Sequence, residues 1–197
     1  VPASLNGVSG LCLMGGPMSV NDDLPWIPPV LARIREAVAA GIPVIGHCLG
    51  GQLMAKALGG SVGRNPVKEI GWGDVRVTDP GAARPWLGDA DRTLLAFHWH
   101  GETFTVPPGA VRILDSAYCA NQAYILDDRH LGLQCHVEMT PELVASWCAN
   151  GADEIAASDS PAVQSPAAIQ ADLDARIARL HGVADKLYFR WIQGLRR

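Results

Sequence analysis

Apolar residues along this chain fall into two kinds of run. Short continuous runs, GLCLM (residues 10–14) and IPVIGHC (residues 42–48), predict buried strands, the first ended by Gly15, Gly16 and Pro17. Runs spaced by three and four predict helices. After Pro28 and Pro29, Leu31, Ile34 and Val38 share one face until Gly41, and QLMAKALGG (residues 52–60) predicts a short helix closed by Gly59 and Gly60. Strand, helix, strand, helix is the order of a parallel sheet covered on both faces.

From Asp74 the pattern changes to strands without long helices: VRVT, LLAFHWH, AVRIL, QAYIL and LGLQCHV, separated by turn-forming clusters such as DPGAARP and VPPGA. After Met139 helical spacing returns. Thr140, Pro141 and Glu142 supply an N-cap, a first-turn proline and a first-turn acid. Ser165 and Pro166 open a helix with a stripe of Ile169, Leu173, Ile177 and Leu180, stopped by Gly182. A last helix puts Leu187, Tyr188, Trp191, Ile192 and Leu195 on one face, so that residues 160–197 form a helical C-terminal part. The alanine- and serine-rich residues 151–168 are expected to form a mobile loop, and there are no internal repeats.

These 197 residues, 48% of them apolar, suffice for one domain with a proper core. Sixteen basic against twenty acidic side chains leave a net charge of −4, which excludes nucleic acid as the main partner. The longest apolar stretch, near residues 37–46, falls well short of the ~20 residues that span a bilayer. No charged side chain precedes Asp22, so no signal peptide is expected. Five cysteines without CxxC spacing argue against a disulfide framework or a zinc knuckle and point to a reducing cytoplasm.

The sharpest chemical signal is GHCLGGQ (residues 46–52), where a strand hands over to a helix. Cys48 would sit on a nucleophile elbow, with Gly46 and Gly50 at the positions that crowd together two residues before and after it. A thiol at a helix N-terminus is shifted toward the thiolate. Read alone, the same residues also suit a buried structural cysteine between loop glycines. A thiol nucleophile needs a base, and in LGLQCHVEM the period of two puts His136 and Glu138 on one face of a strand, where the carboxylate could hold the imidazole. Taken alone, that pair also fits a solvated edge strand. The turn Gly15-Gly16-Pro17 exposes backbone N–H groups that, with the N–H of Leu49, could form an oxyanion hole.

A GGP loop, then G-x-C-x-G-x-Q, then H-x-E, in this order and over nearly the whole chain, resembles the class I, triad-type glutamine amidotransferases. The closest flavour is the stand-alone proteins similar to the amidotransferase domain of GMP synthetase. The resemblance implies a three-layer, flavodoxin-like α/β fold with a mostly parallel, partly mixed sheet flanked by helices, and the site at the carboxyl ends of the strands. By that likeness Cys48 is the nucleophile, His136 the acid and base, Glu138 the orienting carboxylate, and Gly16 and Leu49 the oxyanion donors. Gln52 and the loop Trp99, His100, Gly101 and Glu102 contact the substrate, L-glutamine or a γ-glutamyl compound. Ammonia would pass to a synthase partner, without metal or organic cofactor. Two other readings are a γ-glutamyl peptidase with the same triad and a non-catalytic regulatory subunit.

The chain departs from the family pattern in three ways. Val137 stands where proline is common, His47 precedes the nucleophile and should point away from it, and the family's first strand and helix are missing before Leu5. His98 and His100, alternating on one strand, could join His47, His136 and Cys48 as metal ligands, but no ligand set with metal-site spacing emerges. They read better, with Trp99, as a wall around the leaving group.

Overall fold

The computed structural model describes residues 1–89 and 92–195. In chain order the elements are β1 (Leu11–Leu13), α1 (Ile27–Ala39), β2 (Val44–His47), α2 (Leu49–Ala57), β3 (Val62–Val77), α3 (Pro80–Leu87), β4 (Thr93–Phe104), β5 (Val111–Ser116), β6 (Ala123–Leu126), β7 (His130–Leu133), α4 (Pro141–Asn150), α5 (Ala152–Ala156), β8 (Ala162–Val163), α6 (Pro166–Gln170) and α7 (Leu173–Gln193). The strands form one sheet in the order β1-β2-β7-β6-β5-β3-β4, with β8 added beside β3. The ladders β1–β2, β2–β7 and β3–β8 are parallel, and β3–β4, β3–β5, β5–β6 and β6–β7 are antiparallel. The sheet is therefore mixed, as expected, but not mostly parallel: its parallel ladders lie mainly where the strand-helix-strand pattern of the first sixty residues predicts them, and the strands after Asp74, which lack long crossover helices, pair antiparallel.

Side chains alternate between two apolar layers, as the period of two requires. Val44 joins Ile34, Ala37, Leu53, Met54 and Phe104 under α1 and α2, while the next residue, Ile45, joins Phe97, Trp72, Trp86, Leu131, Leu180 and Leu187 on the face covered by α3, α4 and α7. Burial of this apolar surface on both faces is the main force holding the three layers together.

Four local expectations need correction. The cluster DPGAARP is not a turn. Asp79 accepts a hydrogen bond from the Ala82 N–H at 3.0 Å, Pro80 sits in the first turn, and Ala83, Trp86 and Leu87 are buried, so the segment folds as capped helix α3. The strand read as VRVT is the end of β3, whose earlier part is masked in the sequence by Pro66, by Gly71 and by the register shift between Arg64 and Glu69.

Residues 151–168 carry α5, β8 and α6 rather than a mobile loop. Gln164 accepts from the Trp72 N–H and donates to the Trp72 carbonyl, while Glu154 receives hydrogen bonds from Lys68 and from the Trp99 indole. Small alanine and serine side chains hide this attachment, which is made by a few long polar ones. Finally, Gly182 does not stop a helix. The break falls at Asp172, with φ +50°, and α7 then runs through Gly182 because Leu180, Ala184 and Leu187 bury one continuous face. Packing of that face outweighs the ~1 kcal/mol penalty of an interior glycine.

This last point is testable. A Cβ at Gly182 would meet nothing within 4 Å. Gly182→Ala should raise the urea midpoint, by about 0.5–1 kcal/mol in unfolding free energy. A lower midpoint would mean that Gly182 ends the helix after all.

Candidate active site

Strands β1, β2 and β7 run parallel side by side, and their carboxyl ends deliver three segments to one place: Gly15-Gly16, Cys48, and the stretch from Gln134 to Glu138. Cys48 occupies the single residue between β2 and α2, with φ +49° and ψ −107°. A residue with a side chain is strained there by about 1–3 kcal/mol, and its neighbours must hold it in place. A Cβ on Gly46 would lie 2.4 Å from the Gly50 carbonyl carbon, and one on Gly50 would lie 2.2 Å from the Leu13 carbonyl oxygen. Only glycine lets β2, α2 and β1 approach this closely, and the Cys48 N–H is pinned to the Leu133 carbonyl at 2.8 Å.

Beyond Leu133 the chain leaves β7, so LGLQCHV is not one strand through to His136. Instead, His136 exchanges both backbone hydrogen bonds with Phe97 of β4, at 2.8 and 3.1 Å. This bridge still leaves His136 and Glu138 side by side: Nδ1 lies 2.6 Å from Glu138 Oε1, and Oε2 accepts the Val137 N–H at 2.9 Å. Since a carboxylate only accepts, Nδ1 carries the proton. Nε2 is buried without a regular hydrogen-bond partner among the described residues, and Cys48 is the thiol beside it.

Burial alone would push the His136 imidazole down, but the Glu138 charge reverses this, helped by the contacts to Cys48 and Glu138, and holds it above the ordinary histidine range. Burial would likewise raise Glu138. Its interaction with His136, and then with His47, brings it below the usual carboxylate range instead. The pair is thus an imidazolium held by a carboxylate. Burial pushes the thiols of Cys12, Cys119, Cys135 and Cys148 up.

A cavity of about 730 Å³ opens over these groups, within the usual range for small-molecule sites. Gly15, Gly16, Cys48, Gln52, Trp99, His100, Gly101, Glu102 and His136 line it. Gly15 packs against His136 and Cys48, and Gly16 against Leu49, so the GGP loop lies beside the thiol. Gln52 turns its amide to Gln134 Oε1 at 3.1 Å and to the Glu102 carbonyl at 3.4 Å, and Gln134 in turn donates to the Cys48 sulfur at 3.6 Å.

Of the two imidazoles read as a wall, His98 is absent from the cavity lining and His100 is part of it. Alternation along β4 turns both toward the interior, where His100 Nε2 lies 3.1 Å from Glu69 Oε2 and Nδ1 bonds the Glu102 carbonyl at 3.0 Å. The metal-ligand grouping read from sequence is not assembled either. Ligand atoms of Glu69, His100 and Cys119 do lie within 4.8 Å of one another, yet Ser116 and Gln122 already bond both Glu69 oxygens.

The outer wall is instead Trp99, Trp147, Lys68, Asn150 and Glu154. The Trp147 ring stands edge-on to His136 at 4.9 Å and to Trp99 at 5.9 Å. Apart from Trp99, sequence reasoning missed these, as it did Gln134. Only Gln134 left a trace, two residues before His136, whereas Lys68, Trp147, Asn150 and Glu154 come from distant elements.

The family described as "Glutamine amidotransferase class-I" matches residues 2–152. A glutamine amidotransferase-like protein of Salmonella typhimurium, YfeJ, is 30% identical over 161 residues, 79% of this chain and 67% of that protein. The GMP synthase of Symbiobacterium thermophilum is 36% identical over 136 residues, 68% of this chain but only 25% of that protein, so the match spans about a quarter of the synthase. The solved structure of a glutamine amidotransferase from Methylobacillus flagellatus superimposes with a TM-score of 0.97 at 53% identity, over 100% of this chain and 81% of that one. A Thermotoga maritima glutamine amidotransferase gives 0.86 at 28% identity, over 98% and 82%.

The electrostatics make a prediction that needs no substrate. In Glu138→Gln, burial acts on His136 opposed only by its contact with Cys48, so its NMR titration should fall from its raised value by at least about one pH unit. A raised histidine contributes its full stability below about pH 6.5 and loses it as pH rises through its folded value. A depressed glutamate contributes above about pH 4.3 and loses it as pH falls. The wild type should therefore exceed the variant in stability most between these two values. An unmoved His136 titration would contradict the pairing.

Proposed function

Because the chain belongs to the class-I glutamine amidotransferase family, we propose that it hydrolyses the side-chain amide of L-glutamine through a thioester on Cys48. The observation that carries this reading is the strained Cys48 at the head of α2, beside an imidazole that Glu138 keeps charged. The remaining assignments, and the single-domain organisation over residues 1–197, are part of the same reading.

Cys48 Sγ attacks the carboxamide carbon, and the backbone N–H groups of Gly16 and Leu49 stabilise the oxyanion. His136 gives its Nε2 proton to the departing nitrogen, the C–N bond breaks, and ammonia leaves. The γ-glutamyl thioester remains. His136, now neutral, takes a proton from water as the oxygen attacks the acyl carbon. The C–S bond breaks, glutamate leaves, and Cys48 returns as a thiolate beside the imidazolium. No metal or organic cofactor takes part.

In the binding of the glutamyl group, Glu102 and the Gly101 backbone hold the α-amino acid end, while Gln52 and His100 support that loop by their bonds to the Glu102 carbonyl. Ammonia then goes to a synthase partner, in the reducing cytoplasm where a thiol nucleophile keeps its activity. No helix among the described residues is long and apolar enough to cross a membrane.

A second reading, hydrolysis of γ-glutamyl amides with a larger leaving group, has one observation in its favour. The same cavity extends to Trp99, Trp147, Lys68, Asn150 and Glu154, more lining than ammonia needs. A non-catalytic regulatory role has no comparable support.

The deciding experiment is release of ammonia and glutamate from glutamine by the purified protein, beside a panel of γ-glutamyl dipeptides. The proposal expects glutamine to be hydrolysed. A hundredfold higher kcat/KM for the dipeptides, about 2.7 kcal/mol of transition-state discrimination, would overturn glutamine in favour of the second reading. Cys48→Ala and His136→Ala should each lose about 10³-fold or more, Glu138→Gln less, and the double variant no more than either single one. An additive loss in the double variant would mean that Cys48 and His136 do not act as a unit.

A further inference from the structure

The residue before the thiol, His47, is fully buried and is turned toward the far oxygen of the catalytic carboxylate. Its Nδ1 lies 3.3 Å from Glu138 Oε2, close enough for an ion pair but without regular hydrogen-bond geometry, and has no hydrogen-bond partner among the described residues. Its other nitrogen, Nε2, lies 3.3 Å from the hydroxyl of Tyr188 on α7, and the two rings meet edge-on at 5.8 Å. From this geometry we infer that His47 and Tyr188 are positioning residues for the triad: the Tyr188 hydroxyl selects the His47 tautomer that presents an N–H to Glu138, and the C-terminal helix thereby holds the carboxylate that holds His136. The inference rests on the reading of Cys48, His136 and Glu138 as the reacting set, and adds to it a residue, Tyr188, that lies beyond the stretch matched by the family.

A neutral imidazole has one N–H and one lone pair, so what bonds one nitrogen fixes the other. Burial pushes His47 down and keeps it neutral at physiological pH. Burial pushes the Tyr188 phenol up, so it remains a hydroxyl able to donate. Donation to Nε2 leaves the His47 proton on Nδ1, facing Oε2. The opposite tautomer would set a lone pair against a carboxylate oxygen.

With the proton on Nδ1, Glu138 accepts hydrogen bonds from His136 at Oε1 and from the Val137 N–H at Oε2, and the His47 N–H faces Oε2 across 3.3 Å. The other titratable groups that feel its charge are Cys12 of β1, Cys135 of its own segment and Tyr188 itself. All three are neutral when protonated, so none of them compensates for a lost donor.

The test reads Cys48 without using a substrate. Alkylation by iodoacetamide is followed against pH, with peptide mapping to separate Cys48 from the exposed Cys12. Removing the His47 N–H from beside Glu138 lets the carboxylate take a proton at higher pH, which weakens its hold on the His136 imidazolium beside Cys48. His47→Leu should therefore move the acid limb of Cys48 alkylation up by about one pH unit, a roughly tenfold loss of rate on that limb. Tyr188→Phe should move it the same way by about half as much, because the tautomer is no longer selected. In a His47→Asn background, where the amide offers an N–H regardless of tautomer, adding Tyr188→Phe should change nothing.

In glutamine hydrolysis the shift should fall on kcat and leave KM unmoved. An unmoved limb in Tyr188→Phe, or an equal shift in both backgrounds, would overturn the inference. If His47→Leu does not fold, the Tyr188→Phe and His47→Asn arms decide alone. A wild-type Cys48 that alkylates no faster than Cys12 would instead overturn the proposed function, so the two failures are distinct.

Discussion

A side chain held at φ +49° between a strand and a helix is the constraint on which the rest of this site depends. The conformation costs about 1–3 kcal/mol and persists only where neighbours leave no alternative. Here the absence of side chains at Gly46 and Gly50 lets β2, α2 and β1 approach to distances that any Cβ would forbid. That approach puts the Cys48 sulfur above the carboxyl ends of the parallel strands and points the first N–H groups of α2 at the space beside it. The sheet is parallel at β1, β2 and β7, where this crossover needs it, and antiparallel from β7 onward through β6 and β5 to β4. The long β3–β4 hairpin then carries Trp99 to Glu102 back over the thiol.

Around that fixed sulfur the protein has buried two opposite charges. Leaving either one alone would cost several kcal/mol, and the pair persists because each partner is bonded again: Glu138 by a backbone N–H, and His136 by its backbone exchange with Phe97 and by packing on Trp147. The result is an imidazole whose charge is set by a neighbour instead of by solvent. Polar groups with no part in bond-making, such as Gln52, Gln134, His100 and Glu69, form hydrogen bonds beneath the loop that carries Glu102. Buried polar networks of this kind restrict the geometry, and a loop held this way gives a substrate a steadier surface.

The parts of this arrangement that sequence made legible are those with a local signature. Gly46, Cys48 and Gly50 announce themselves because one sharp turn demands glycine on both sides of the single strained residue it holds. His136 and Glu138 were paired by a period of two, and they are indeed in contact, although the backbone between them has left the strand. The helical C-terminal part was visible in its stripe of Ile169, Ile177 and Leu180, but its break at Asp172 and its passage through Gly182 were not, because tertiary packing there outweighs local propensity. Trp147, Glu154 and Lys68 meet only through the fold, and no spacing in the chain relates them. His100 was legible as part of the site, whereas its reach to Glu69 on β3 was not, because no spacing relates the two residues.

The central claim is that the carbon–nitrogen bond of the substrate is broken by Cys48 itself. Acid quench of the protein during turnover with glutamine, followed by mass spectrometry of the peptide that contains GHCLGGQ, tests it most directly. The account predicts one added γ-glutamyl group on Cys48, released by hydroxylamine as expected of a thioester. Ammonia release with no such adduct, or an adduct on Cys12, Cys119, Cys135 or Cys148, would contradict it.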